Sequence, residues 1–170
     1  WIDIEVTKDI APGNYEIELR LKKEGDVVTS AKQRLTVIGV ELPKQKIMHT
    51  EWMHADCLAD YYHVDVFSEE HWKILENYFK EYVKRGCNMM LTPLFTSPLD
   101  TAVGLERTTT QLIKVEVVKG EYRFDFSELK RWIDLCKKCG IEYYEMSHLF
   151  SQWGAKYAPK VVAEVDGKEE

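Results

Sequence analysis

The pattern of apolar and polar positions divides the chain into two stretches with different periods. Over the first forty residues apolar side chains fall at every second position. Residues 1–6, 13–22 and 34–40 each place Val, Ile, Tyr or Leu on one face, which predicts three strands. The turn clusters Ala11-Pro12-Gly13-Asn14 and Lys23-Glu24-Gly25-Asp26 separate them. Three strands bury themselves poorly, so residues 1–42 are expected to be the last strands of a β-sandwich begun upstream. A short polar linker carrying Pro43 follows over residues 43–46.

From residue 47 the order becomes strand, helix, strand, helix, strand. Residues 47–53 are strand-like. Ser68 is placed to cap a helix running to about Arg85, with Glu69 and Glu70 in its first turn. Trp72, Leu75, Phe79, Tyr82 and Val83 recur at spacings of three and four, one face of that helix, and Gly86 suits a left-handed end. Residues 87–94 are almost continuously apolar, as in a parallel strand buried on both sides. A second cycle follows. Residues 115–118 and 122–126 flank Lys119-Gly120-Glu121 as a hairpin, and Ser127 is placed to cap a helix with Leu129, Trp132, Ile133 and Cys136 on one face. Gly140 ends it before a third strand at 141–146, and no closing element is read in residues 161–168.

Repeating βα units build either a doubly wound sheet or a barrel. No Gly-x-Gly-x-x-Gly or Walker loop follows any strand, and the long polar connections after the strands favour the barrel. The expected fold class is therefore α/β: a partial (β/α)8 TIM-type barrel of about three βα units over residues 47–170, preceded by the last strands of a β-sandwich. Three units do not close a barrel of eight, so the chain is expected to be a segment of a longer protein. The exposed strand edge should then be covered by the missing remainder of the barrel or by another chain.

Composition narrows the partners. With 45% hydrophobic and 31% charged residues the chain has the balance of a folded globular protein. Its 23 basic and 29 acidic residues give a net charge of −6, and the basic ones are scattered, which argues against nucleic acid. No apolar run approaches the roughly 18 residues that cross a bilayer. No targeting segment is recognisable, and both a cytoplasmic and an exported location stay open. Cys136-x-x-Cys139 invites a metal or redox reading, but no second pair completes it. The expectation is reduced cysteines packed as small hydrophobes, with no metal.

The strand ends carry the chemistry. His49-Thr50-Glu51-Trp52-Met53-His54 puts His49 and Glu51 on one face, either as hydrogen-bonding groups in a barrel mouth or as a satisfied pair at its rim. The second strand runs into Thr92-Pro93-Leu94-Phe95-Thr96-Ser97-Pro98-Leu99-Asp100, where Asp100 is placed to hold sugar hydroxyls or to cap a turn. Arg107-Thr108-Thr109-Thr110-Gln111 is as polar and is a further candidate for the mouth. The third strand ends Glu145-Met146-Ser147-His148, followed by Gln152 and Trp153. A carboxylate, an imidazole, an amide and an indole in so short a run suit carbohydrate recognition: polar groups fork onto hydroxyls and an indole face stacks on a pyranose. His49, Glu51, Asp100, Glu145, His148, Gln152 and Trp153 are the substrate-binding candidates. His63 and His71 are read as surface residues.

These runs resemble one family. His49-Thr50-Glu51-Trp52 with Asp56-Cys57-Leu58-Ala59-Asp60-Tyr61-Tyr62, Asn88-Met89-Met90-Leu91-Thr92-Pro93 through Thr101, and Ser147-His148-Leu149-Phe150 through Gln152-Trp153-Gly154-Ala155 are similar to glycoside hydrolase family 123 and to the domain of unknown function numbered 4091. The resemblance implies a β-sandwich followed by a (β/α)8 barrel. It also implies release of terminal N-acetyl-β-galactosamine by substrate-assisted retention, an exception to the usual pair of catalytic carboxylates. In that mechanism an Asp orients the substrate's acetamido group and the adjacent Glu protonates the leaving oxygen, with no cofactor. No Asp-Glu dipeptide occurs in this chain, so the resemblance places that pair downstream and the isolated chain is expected to be inactive. A non-catalytic carbohydrate-binding or structural module is the alternative.

Overall fold

The computed structural model describes residues 2–99, 101–102, 104–150 and 154–170. Two compact units arise, Trp1–Gln45 and Lys46–Glu170.

In the first unit, β1 (Gly13–Lys23) and β2 (Asp26–Val37) form one antiparallel hairpin. Its two-residue turn, Glu24 and Gly25, has φ of 52° and 97°, the left-handed pair whose twist matches that of the flanking strands. The second strand begins eight residues earlier than its alternation predicts. Both faces of Val27–Gln33 are open to solvent, so pairing with β1 rather than one-sided burial keeps that stretch extended. Residues 2–6 form no strand: Ile2, Ile4 and Val6 remain at least 47% exposed, and alternation without a pairing partner does not make a ladder.

The second unit carries three helices. The apolar pattern does not mark α1 (Ala55–Tyr62), whereas α2 (Glu69–Lys84) and α3 (Ser127–Cys139) lie where it predicts helices. The parallel strands β3 (Met89–Thr92) and β6 (Tyr143–Met146) pair from Met89 opposite Tyr143 to Thr92 opposite Met146. A second sheet joins β4 (Lys114–Val118), β5 (Glu121–Asp125), β7 (Ala163–Val165) and β8 (Lys168–Glu169) in the order β5-β4-β7-β8. β7 and β8 correct the expectation that residues 161–168 lack a closing element. They turn at Asp166 and Gly167, both left-handed, and β7 runs parallel to β4.

The core lies where α2 and α3 cover the face of β3 and β6 that carries Met90 and Tyr144. Trp72, Leu75 and Phe79 of α2 meet Trp132 and Cys136 of α3, with the Phe79 and Trp132 rings 5.0 Å apart edge to face. The Arg131 guanidinium forks onto Glu69 at 2.6 and 2.7 Å and lies 4.6 Å from the Trp72 ring, which ties the start of α2 to α3. Burial drives the Cys136 thiol far above its ordinary pKa, so it packs as an apolar group. Cys87 is also buried, whereas Cys57 is exposed, against the core reading.

Helix termini follow the expected chemistry with one change. Ser68 Oγ accepts from His71 N at 3.2 Å, and Gly140 closes α3 at φ 96°. Ser127, however, is the first residue of α3 rather than its cap. The Asp125 carboxylate accepts from Ser127 N at 2.9 Å and from its hydroxyl at 2.7 Å, taking over an orphan donor of the first turn. Among the described residues no helix is long and apolar enough to cross a membrane.

Candidate functional site at the ends of two parallel strands

Residues 47–53, expected as a strand, are irregular. His49 makes ladder-like bonds: its O accepts from Asn88 N at 3.0 Å and from Met89 N at 3.1 Å. The Asn88 side chain takes the neighbouring positions, its Oδ1 accepting from His49 N at 2.8 Å and its Nδ2 donating to Ile47 O at 3.1 Å. Further along, the Tyr82 hydroxyl accepts from Glu51 N at 2.8 Å, donates to Met89 O at 2.7 Å and lies 2.9 Å from Glu51 O. Burial raises the pKa of this phenol, so it stays protonated. Two side chains thus hold an extended segment against β3 without a regular ladder.

That anchoring decides where the next side chains go. His49 Nε2 and Glu51 Oε1 are 3.2 Å apart, with the His49 and Glu51 side chains 44% and 75% exposed. Trp52 goes elsewhere. Its indole N–H donates to Glu145 Oε2 at 3.1 Å, and its ring meets His148 edge to face, centroids 5.4 Å apart at 75°. Strand alternation explains Glu145: its neighbour Tyr144 packs toward the helices, so Glu145 projects from the opposite face, level with Leu91. His148 follows the strand end, where Ser147 N donates to Thr92 O at 3.0 Å, and its Nε2 lies 4.0 Å from Glu145 Oε1. The buried His148 Nδ1 has no hydrogen-bond partner.

Glu145 and His148 are therefore brought together, and His49 and Glu51 form a separate pair. Asp100, Gln152 and Trp153 lie outside the described residues. Sequence reasoning missed Trp52, which strand alternation had assigned to the face opposite His49 and Glu51. Among the described residues no three His, Cys, Asp or Glu side chains converge as metal ligands.

Three residues of the polar run 107–111 are tied into the fold. Arg107 Nε and Nη2 donate to the two oxygens of Asp56 at 2.7 and 3.1 Å, and Nη1 donates to Leu99 O at 2.9 Å. Thr108 Oγ1 donates to Asp60 at 2.9 Å, and Thr110 is buried against Thr96. Asp56 of α1 thus holds Arg107 in a buried pair, which the sequence separation of 51 residues conceals. His71 is likewise buried rather than on the surface. Its Nδ1 accepts from Phe67 N at 2.9 Å and its Nε2 donates to Ala55 O at 3.1 Å.

An open groove of 880 Å³ lies elsewhere, along the sheet that contains β4 and β7 and beside Val66 and Phe67; none of His49, Glu51, Glu145 and His148 lines it. Its Lys114, Arg123, Glu116 and Glu164 side chains give it mixed charge.

The profile described as "Glycoside hydrolase 123, catalytic domain" matches residues 52–170, from Trp52 through both strand ends to the last residue. The chain belongs to glycoside hydrolase family 123. A solved structure of a family 123 glycoside hydrolase from Clostridium perfringens, reported for the details of glycolipid glycan hydrolysis, is similar with a TM-score of 0.68 at 20% identity. The likeness covers 96% of this chain and 30% of that one, and at such identity it shows a shared fold. This family 123 chain thus spans less than a third of the length of that enzyme. No curated protein matches it.

Proposed function

We propose that this family 123 chain is the front part of an enzyme that removes terminal N-acetylhexosamine, β-N-acetylgalactosaminide-like, by substrate-assisted retention. In this reading residues 1–42 end a β-sandwich, 43–46 link it, and 47–170 supply the first units of a (β/α)8 barrel. The observation that carries it is the meeting of Glu145 and His148 at the carboxyl end of two parallel strands, on the face turned from the helices. Barrel enzymes bind substrate at that end. His49, Glu51, Asp100, Glu145, His148, Gln152 and Trp153 contact substrate, and the Asp-Glu pair that works with the acetamido group belongs to sequence outside these 170 residues.

The division of labour follows from charge. A neutral sugar needs acceptors and donors on its hydroxyls more than a strong field, and a carboxylate beside an imidazole offers both. The chemical step is left to the acetamido oxygen and the acid pair, so this chain's residues bind and orient.

The test uses an aryl N-acetyl-β-galactosaminide with the full-length protein and, in parallel, with residues 1–170. Turnover by the full-length protein, with β-configured N-acetylgalactosamine as first product, and none by the shorter chain is the expected result. Turnover by residues 1–170 alone would sink the assignment of the acid pair. Sugar binding by the full-length protein without turnover of any N-acetylhexosaminide would establish the non-catalytic carbohydrate-binding module instead.

A further inference from the structure

We infer that Trp52 is a sugar-stacking platform of this site, held in register by Glu145. The inference rests on the reading of these strand ends as a carbohydrate site. A stacking indole needs a fixed plane, an accessible surface and polar groups nearby that catch hydroxyls. Trp52 meets all three. Its N–H is bonded to Glu145 Oε2 at 3.1 Å, and the edge-to-face contact with His148 is a second restraint on the ring. Both fastenings leave the residue 43% exposed, in a segment whose backbone is anchored through His49 and Glu51.

The polar partners are set beside it. Glu145 spends Oε2 on the indole, while Oε1 stands 4.0 Å from His148 Nε2. That gap is too long for a direct hydrogen bond, yet a single hydroxyl oxygen reaches both groups at ordinary lengths. With Nδ1 buried and unpartnered, Nε2 is the ring nitrogen that faces Glu145. A pyranose lying on Trp52 can donate one hydroxyl to Oε1 and accept from Nε2–H with the same oxygen. A neutral pyranose fits better than an anionic one, because the Glu145 carboxylate would repel a second negative charge.

The experiment adds N-acetylgalactosamine, and in a second series N-acetylglucosamine, to the full-length protein. It follows the Trp52 indole 15N–1H signal, assigned by its loss in Trp52→Phe, alongside calorimetric titration. Binding that moves this signal is expected. Trp52→Phe, which keeps a ring, should hold the affinity within about threefold, whereas Trp52→Ala should weaken it about tenfold, the scale of one lost aromatic contact. Melting curves accompany both variants, and Trp52→Phe with the signal shift decides the matter if Trp52→Ala fails to fold. Sugar binding that leaves the indole signal still, or survives Trp52→Ala unchanged, overturns the role of Trp52 and leaves the carbohydrate site standing. No binding by the unaltered protein overturns both.

Discussion

His71 shows how much a single side chain can organise. It is fully buried, takes the Phe67 amide on one nitrogen and offers the other to Ala55 O, joining the start of α1 to the start of α2. Burial lowers its pKa, opposed by the bond to Ala55 and the nearby Asp56 charge, so the ring is neutral in the fold. Protonation would set an N–H against the Phe67 N–H. The unfolded chain binds that proton near the ordinary value of about 6.5, so the stabilisation is complete above it. It drains away as pH falls from there toward the lowered folded value. Denaturation midpoints of the unaltered protein should fall between pH 7 and pH 5, and His71→Gln should flatten that slope. Equal slopes for the two would refute it. The polar neighbours of His71, Glu69, Glu70 and Lys73, read as an exposed helical turn, although its spacing of four from Leu75 and eight from Phe79 puts it on the core-facing stripe.

Between elements, the Asp56–Arg107 fork decides how the connection after β3 lies. The two side chains are 5% and 9% exposed, and the guanidinium also reaches Leu99 O and the Cys57 thiol. Arg107→Met leaves a buried carboxylate unpaired and should cost about 3–5 kcal/mol. Replacing both partners, Asp56→Leu with Arg107→Met, should recover most of that loss. Urea unfolding of the two variants measures it, and a single variant as stable as the parent would show that Asp56 is not isolated from water. Such pairings are invisible to periodicity. What periodicity did expose were the helices α2 and α3, whose apolar stripes and terminal glycines are local signals, and the hairpin β4–β5, whose Lys119-Gly120 turn is local too. It missed α1, eight residues long with no side-chain cap. It also over-extended residues 47–53, where the Asn88 amide and the Tyr82 hydroxyl occupy the bonding positions of a ladder.

At the scale of the whole molecule, Glu145 and His148 were legible because they sit three residues apart at a strand end. Trp52 was not, since 93 residues separate it from Glu145. The same scale sets the behaviour in solution. β5 is an edge strand, and Tyr122, Phe124 and Phe126 beside it are 69%, 53% and 53% exposed, with the first two rings stacked at 12°. An open edge with an aromatic row invites pairing with another chain. Light scattering on residues 1–170 should show a mass that rises with concentration, reduced by Phe124→Lys. A single monomeric mass across the range would contradict it.

The Tyr82 hydroxyl has a wider implication. One oxygen joins α2, β3 and the segment that carries Trp52, and phenylalanine, which lacks only that oxygen, lies a single base away in the codon table. Scoring schemes that treat the two aromatics as near-synonyms would align relatives across this position without penalty, although the bridge exists in one and not in the other. When relatives are sorted by whether they share this arrangement, the letter at position 82 is therefore a sharper criterion than percentage identity over the surrounding helix.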